Sequence, residues 1–275
     1  MEEEHYYTDC IYHDDKNSTY IDVGGKTDTR LIVYQPEENG KKYVLRPPSL
    51  SDQRRFSIGP NYLEVAKNFQ ALTSELNEFD IQIPEYMLFV SHFHTKEGSK
   101  GSGLCLMSEF IEGRCLPLDY QCCWDYDKEN FYIQMDKWLT NITNYSLYKY
   151  LSADKSSFYL TDIFRPVQFV YECESNQIFL VDLDPFLDKT INENGKLSKR
   201  FLIGLSTINK QRNLYLNKMN KDGIKIEGWG KKSLDMMKEL LETTDFIKDA
   251  VYNEETDTIM RNLKQGLYYK KFNKV

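Results

Sequence analysis

Two carboxylates two positions apart, Asp182 and Asp184, close the apolar run "IFLVDLDPFL" of residues 178–187. An ionised carboxylate at the end of a buried strand is costly unless it is paired or bound to a metal, so two of them there imply a use. Alternation puts both on one face if the strand continues, and Pro185 marks where pairing stops. Carboxylates are the hard oxygen ligands that Mg²⁺ takes. The alternative is that they cap a turn or the helix that follows.

Other reactive residue types are less organised. His92 and His94 share one face of a strand, and with His5 or His13 they imitate a metal site, but no carboxylate or Cys stands at ligand spacing. They read as polar strand-end histidines. Cys122 and Cys123 have no identifiable base to activate them. "VGGKTDT", around Gly24 and Gly25, could cover a phosphate with backbone N–H groups, yet it matches no established phosphate-loop pattern and also reads as a plain turn.

The elements that must position these residues change character along the chain. "YIDVGG", "TRLIVYQ" and "KYVLR" read as short strands, the last entered through an Asn-Gly hairpin turn and ended by Pro47-Pro48. "GPNYLEVAKNFQALTSELNEF" places Tyr62, Val65, Phe69, Leu72, Leu76 and Phe79 at helical steps, and Pro60 opens it. "EYMLFVSHFH" and "SGLCLMSEFI" are two more strands, joined by the polar loop "TKEGSKGSG". After Gly113 a long helix carries Phe131, Met135, Trp138, Leu139, Ile142 and Tyr145 on one side. Two short strands, "QFVYE" and "QIFLVD", flank the turn "CESN", and the last ninety or so residues are mostly helical. The polar stretch after Leu187, "DKTINENGKLSKR", is expected to be mobile.

The chain's 275 residues, 41% of them hydrophobic, suffice for a large core. A net charge of −7 argues against a general nucleic-acid or membrane-surface binder. Six cysteines without paired C-x-x-C spacing read as reduced thiols of a cytoplasmic protein. The acidic first twenty residues hold no apolar signal segment, and no run of residues approaches a membrane span; export by a dedicated secretion machine needs no such signal.

A sheet with one helix, a short connection, and a helical half with a small hairpin ending in Asp resembles the protein-kinase-like fold. The likeness is greatest to the aminoglycoside phosphotransferase and related small-kinase branch, over roughly residues 20–190. It implies an α+β, two-lobed fold. Residues 1–112 would form an antiparallel sheet with one helix, and residues 113–275 a mostly helical lobe. "LCLMSEFIEGRCL" looks like the hinge strand against adenine, where Glu109, Phe110 and Ile111 act through main-chain groups and a Gly then opens a helix. Glu64 resembles the ion-pairing acid of the single helix, and Arg46, in "YVLR", stands where the family has a phosphate-holding Lys. Arg keeps the charge but not the geometry. Gln168 falls at the position of a metal-binding Asn, which makes Asp182 the metal-binding Asp and Asp184 an accessory. The catalytic position then coincides with Ile163, and Asp162 takes the role if the chain bulges by one residue. The resemblance implies ATP and Mg²⁺ as cofactors and a small-molecule or protein hydroxyl as acceptor. A degenerate pseudokinase acting as scaffold or regulator, and transfer of AMP in place of phosphate, are the alternatives.

Overall fold

The computed structural model describes residues 6–8, 18–21, 31–34, 41–46, 62–95, 100–116, 127–151, 158–159, 163, 168–183, 188–189 and 199–243. The chain divides into two compact units. The first comprises Met1–Ala71, Pro84–Ile111 and Leu183–Phe186; the second comprises Leu72–Ile83, Glu112–Asp182 and Leu187–Val275.

In the first unit, β1 (Tyr6–Thr8), β2 (Ser18–Ile21), β3 (Leu31–Tyr34), β4 (Tyr43–Arg46), β5 (Tyr86–Thr95) and β6 (Lys100–Glu109) form one antiparallel sheet. Its order is β1-β5-β6-β4-β3-β2. The three strands expected before the helix and the two after it are present, and β1 is an addition to them. β6 also begins earlier than composition implies. Lys100–Gly103, expected in a loop, continue the ladder opposite Ser91–His94. Glycines weaken a strand on their own, but pairing along a ten-residue partner outweighs that preference. The Asn39-Gly40 turn, Pro47, Pro48 and Pro60 lie outside the described residues, although Tyr34 pairs with Tyr43 and so confirms the hairpin that residues 35–42 join.

Helix α1 (Tyr62–Glu78) forms where the apolar stripe places it, with Phe69, Leu72 and Leu76 buried. Within the first unit, Phe69 packs edge-on against Tyr86 of β5, ring centroids 5.1 Å apart. The helix stops through a left-handed residue, Asp80 at φ 56°, which lets the Ile81 N–H reach back to the Leu76 carbonyl at 3.0 Å.

The second unit is built on α2 (Lys128–Leu151), whose first turn is capped by the Asp127 carboxylate accepting the Asn130 N–H at 3.0 Å. Its expected stripe, Phe131 through Tyr145, is buried throughout. β7 (Arg114–Cys115), β9 (Phe169–Glu172) and β10 (Gln177–Leu180) make a small sheet in the order β10-β9-β7, and β8 (Phe158–Tyr159) pairs with β11 (Asp188–Lys189). Helices α3 (Lys199–Lys221) and α4 (Lys231–Thr243) complete it.

Two expectations change here. Gly113 opens the strand β7 and not a helix, because its backbone lies hard against β9. A Cβ built on it would meet the Tyr171 carbonyl oxygen and come within 2.6 Å of Val170 Cγ1. And Asp188–Lys189, inside the stretch expected to be mobile, are tied into a ladder with Phe158–Tyr159. The whole is the α+β order anticipated, an antiparallel sheet with one helix followed by a mostly helical remainder. Among the described residues no helix is long and apolar enough to cross a membrane.

Candidate functional site

The candidate residues fall into two groups, one in each unit. In the first, register fixes faces. Arg46 lies opposite Leu106, Val44 opposite Ser108, and Ser108 opposite Tyr86. Position 46 therefore shares a sheet face with buried Leu106 and Ser108 and with Tyr86, the residue on which α1 packs through Phe69. Glu64 is exposed on the first turn of that helix, where a negative charge suits the helix dipole. The other face holds Leu45 and Cys105, both fully buried, with Phe89 and Met107 against them.

At the end of β6 the main chain is already partly committed. The Glu109 N–H donates to the Glu85 carbonyl at 2.8 Å, and the Phe110 N–H to the Lys42 carbonyl at 2.9 Å. Lys41 Nζ holds the Glu109 carboxylate at 3.2 Å, and Lys42 stands over the Phe110 ring at 5.7 Å. The Glu109 side chain raises the Lys41 pKa, by hydrogen bond first and by charge second. Of the residues that resemble a hinge, the Glu109 and Phe110 amides thus serve the sheet.

In the second unit the β9–β10 ladder runs from Glu172 opposite Gln177 to Phe169 opposite Leu180. It continues one step further, where the Val181 N–H donates to the Gln168 carbonyl at 2.9 Å. That bond brings Gln168 and Asp182 to the same open end of the hairpin. Phe169 and Leu180 beside them in the ladder are buried, while Gln168 and Asp182 are half-buried. Asp182 is therefore less enclosed than its apolar neighbours suggest, because the strand ends at Leu180 and the chain leaves the sheet before it. Ile163 is fully buried. Gly24, Gly25, Asp162 and Asp184 lie outside the described residues.

One charged group in the second unit escaped the sequence reading. Lys149 of α2, 6% exposed, sets its Nζ 2.5 Å and 2.8 Å from the two carboxylate oxygens of Glu75 on α1. The Tyr145 ring lies 5.7 Å from the same ammonium. Burial first, and the neighbouring Glu75 charge second, push the Tyr145 hydroxyl well above its ordinary pKa. The signal was there: the α2 stripe, stepped four residues past Tyr145, falls on Lys149, and a cation on an apolar face demands a partner.

Among the described residues no group of three or more His, Cys, Asp or Glu side chains is gathered for a metal. The oxygen donors at the hairpin end, one carboxylate and one carboxamide, suit Mg²⁺, which commonly takes one or two protein ligands and completes its shell with water and phosphate.

No family model matches this chain, and no curated protein does. Among solved structures it is similar to Rad53 1–466 in complex with AMP-PNP, at 14% identity and a TM-score of 0.37, covering 90% of this chain and 60% of that one. It is also similar to the spectinomycin phosphotransferase APH(9)-Ia in complex with ADP and spectinomycin, at 12% identity and a TM-score of 0.34, covering 93% of this chain and 89% of that one. This chain thus spans 60% of the length of the Rad53 chain.

Proposed function

We propose that this protein is a kinase-like phosphotransferase that uses ATP and Mg²⁺ to phosphorylate a hydroxyl of a small molecule or a protein in the cytoplasm. The observation that carries the reading is the Val181–Gln168 hydrogen bond, which holds Gln168 and Asp182 together at the end of a short, well-packed hairpin. These two would hold Mg²⁺, with Asp184 as accessory, and the ion would neutralise charge on the phosphates. The Glu109 and Phe110 carbonyls and the Ile111 N–H would meet the base, Arg46 with Glu64 would position the phosphates, and Gly24-Gly25 would cover them. Asp162 would orient the acceptor hydroxyl and take its proton. The new O–P bond then forms as the bond between the γ phosphorus and the bridging oxygen breaks, and ADP leaves with the electron pair.

A second reading has its own observation. Ile163, at the position the family gives to a catalytic acid, is fully buried and serves packing. If Asp162 does not take its place, the protein binds nucleotide and acts as a scaffold or regulator.

Thermal unfolding of the full chain with and without ATP and Mg²⁺ tests the shared part. Stabilisation that needs both, and that Asp182→Ala removes, is expected; no stabilisation of the wild-type protein overturns both readings. ATP labelled at the γ or the α position then separates phosphoryl from AMP transfer. Asp162→Ala should abolish the label while nucleotide binding persists; a wild-type protein that binds but never labels a target is the scaffold.

A further inference from the structure

We propose that the outer edge of β5 pairs with the same edge of a second copy of this chain, joining two six-stranded sheets into one. β5 is ten residues long, and among the described residues β1 covers three of them, Phe93–Thr95. Backbone direction follows from the bond that the Glu109 N–H gives the Glu85 carbonyl at 2.8 Å, one step before the ladder pair of Tyr86 and Ser108. Antiparallel pairing alternates, so Leu88 and Val90 turn their N–H and C=O groups away from β6 and towards the edge. The side chains beside them are open: Met87 on one face is 56% exposed and Val90 on the other 54%.

Folded proteins protect a long edge with a charge, a proline, a bulge or a short strand. β2, at the other end of the same sheet, is only four residues long. Along Tyr86–Ser91 β5 has no charged residue and no proline, and its register with β6 runs unbroken from Tyr86 to His94. An edge so made accepts a strand, and its own copy fits, because an antiparallel strand pairs with itself about a two-fold axis and both copies then satisfy the same groups. The register is constrained. Edge-facing residues must meet edge-facing residues, which leaves only shifts of two. A copy whose Glu85 reached Phe93 would meet Thr8, which already pairs there. The next register places Leu88 opposite Leu88 of the second copy, and ends where Pro84 has no N–H to give. Met87 then faces Phe89 of the second copy and Val90 faces its Tyr86, so both exposed side chains gain apolar partners. The two Glu85 carboxylates lie about 20 Å apart, farther than the roughly 8 Å over which charge acts in physiological salt. So short a strand pair buries less than the roughly 1,200 Å² of a standard interface, which makes the dimer a weak one.

Sedimentation velocity of the full chain from about 1 µM to about 1 mM should show monomer passing to dimer, with a midpoint on the order of 10–100 µM. Over the same range hydrogen exchange of the Leu88 and Val90 amides should slow by about threefold or more. Val90→Lys sets a charge on the edge and should weaken the dimer at least about tenfold. Leu88→Cys should form a disulfide between copies, mapped by peptide digestion, where Met87→Cys does not, because position 88 alone meets its own copy at about 5.5 Å. A chain still monomeric at about 1 mM, a dimer that Val90→Lys leaves as tight, Leu88 and Val90 amides already protected in the dilute monomer, as a different occupant of the edge would make them, or a link at position 87 in place of 88 overturns the proposal.

Discussion

The interior of the second unit and the sheet of the first are held by different means. Around α2, aromatic rings fill the core, and three of them, Tyr132, Tyr171 and Trp229, end in polar groups with specific partners. Phe131 lies within 6.0 Å of the Tyr132, Tyr171 and Tyr215 rings. The Tyr132 hydroxyl donates to Asp222 at 2.6 Å, the Trp229 indole N–H to the Tyr132 carbonyl at 2.7 Å, and the Tyr171 hydroxyl to Asn176 at 2.9 Å. Such bonds fix direction as well as contact. The sheet of the first unit rests on ladder register and, among the described residues, on the smaller cluster of Leu45, Cys105, Phe89 and Met107. The contrast teaches where precision resides: Gln168 and Asp182 stand on a hairpin keyed to an aromatic core, while Glu64 stands exposed on the first turn of its helix.

The sharpest way to break this comparison is to remove one ring. Phe131→Ala should cost about 4 kcal/mol of unfolding free energy by urea titration, against about 2.5 kcal/mol for Leu45→Ala in the sheet; equal costs would erase the distinction. Next in size, Gly113→Ala forces a Cβ onto backbone that cannot yield cheaply and should cost about 3 kcal/mol, where a surface glycine in ordinary conformation tolerates alanine. Lys149→Met leaves Glu75 without its cation and should cost about 2 kcal/mol, discounted because the Glu75 side chain keeps 21% of its exposure. Adding Glu75→Leu should recover most of that loss, which distinguishes an uncompensated charge from lost packing.

The smallest effect concerns pH. Burial pushes the Asp136 carboxyl above its ordinary 3.8, against the opposing Gly230 N–H that it accepts at 2.8 Å. The folded state therefore binds this proton more tightly than the unfolded chain does, so stability from this group is present in acid and is lost as pH rises through the raised value. Asp222, on the same corner, runs the other way. Burial pushes it up, but the Tyr132 hydroxyl and Lys128 outweigh burial and hold it below 3.8, so its contribution is present at neutral pH and lost as pH falls. Asp136→Asn keeps the acceptor oxygen and removes the charge. It should gain about 0.5 kcal/mol over wild type at pH 7 and nothing at pH 3, read from paired denaturation curves.

What the sequence revealed follows a physical divide between local and distant causes. The stripes of α1 and α2 and the "CESN" hairpin are written in consecutive residues, and the structure has them. β1, by contrast, is three residues whose strand character comes from pairing with Phe93–Thr95, far along the chain. Gly113 read as the start of a helix because its real constraint, the carbonyl of Tyr171, is nearly sixty residues away. At the candidate site, Gln168 and Asp182 were nominated by resemblance, and the backbone bond from Val181 to Gln168 sets both at one end of the hairpin, while the spent amides of Glu109 and Phe110 depend on Glu85 and Lys42 and had no local signature.

The close approach of Gly113 to β9 also bears on ancestry. Every codon change away from glycine at that position adds an atom where Val170 and Tyr171 leave no room. A descendant that lost the glycine would have had to reshape position 170 or the path of β9 in step. The identity of residue 113 is thus tied to that of residue 170 and to the path of the strand beside it, a link between positions nearly sixty residues apart in the chain.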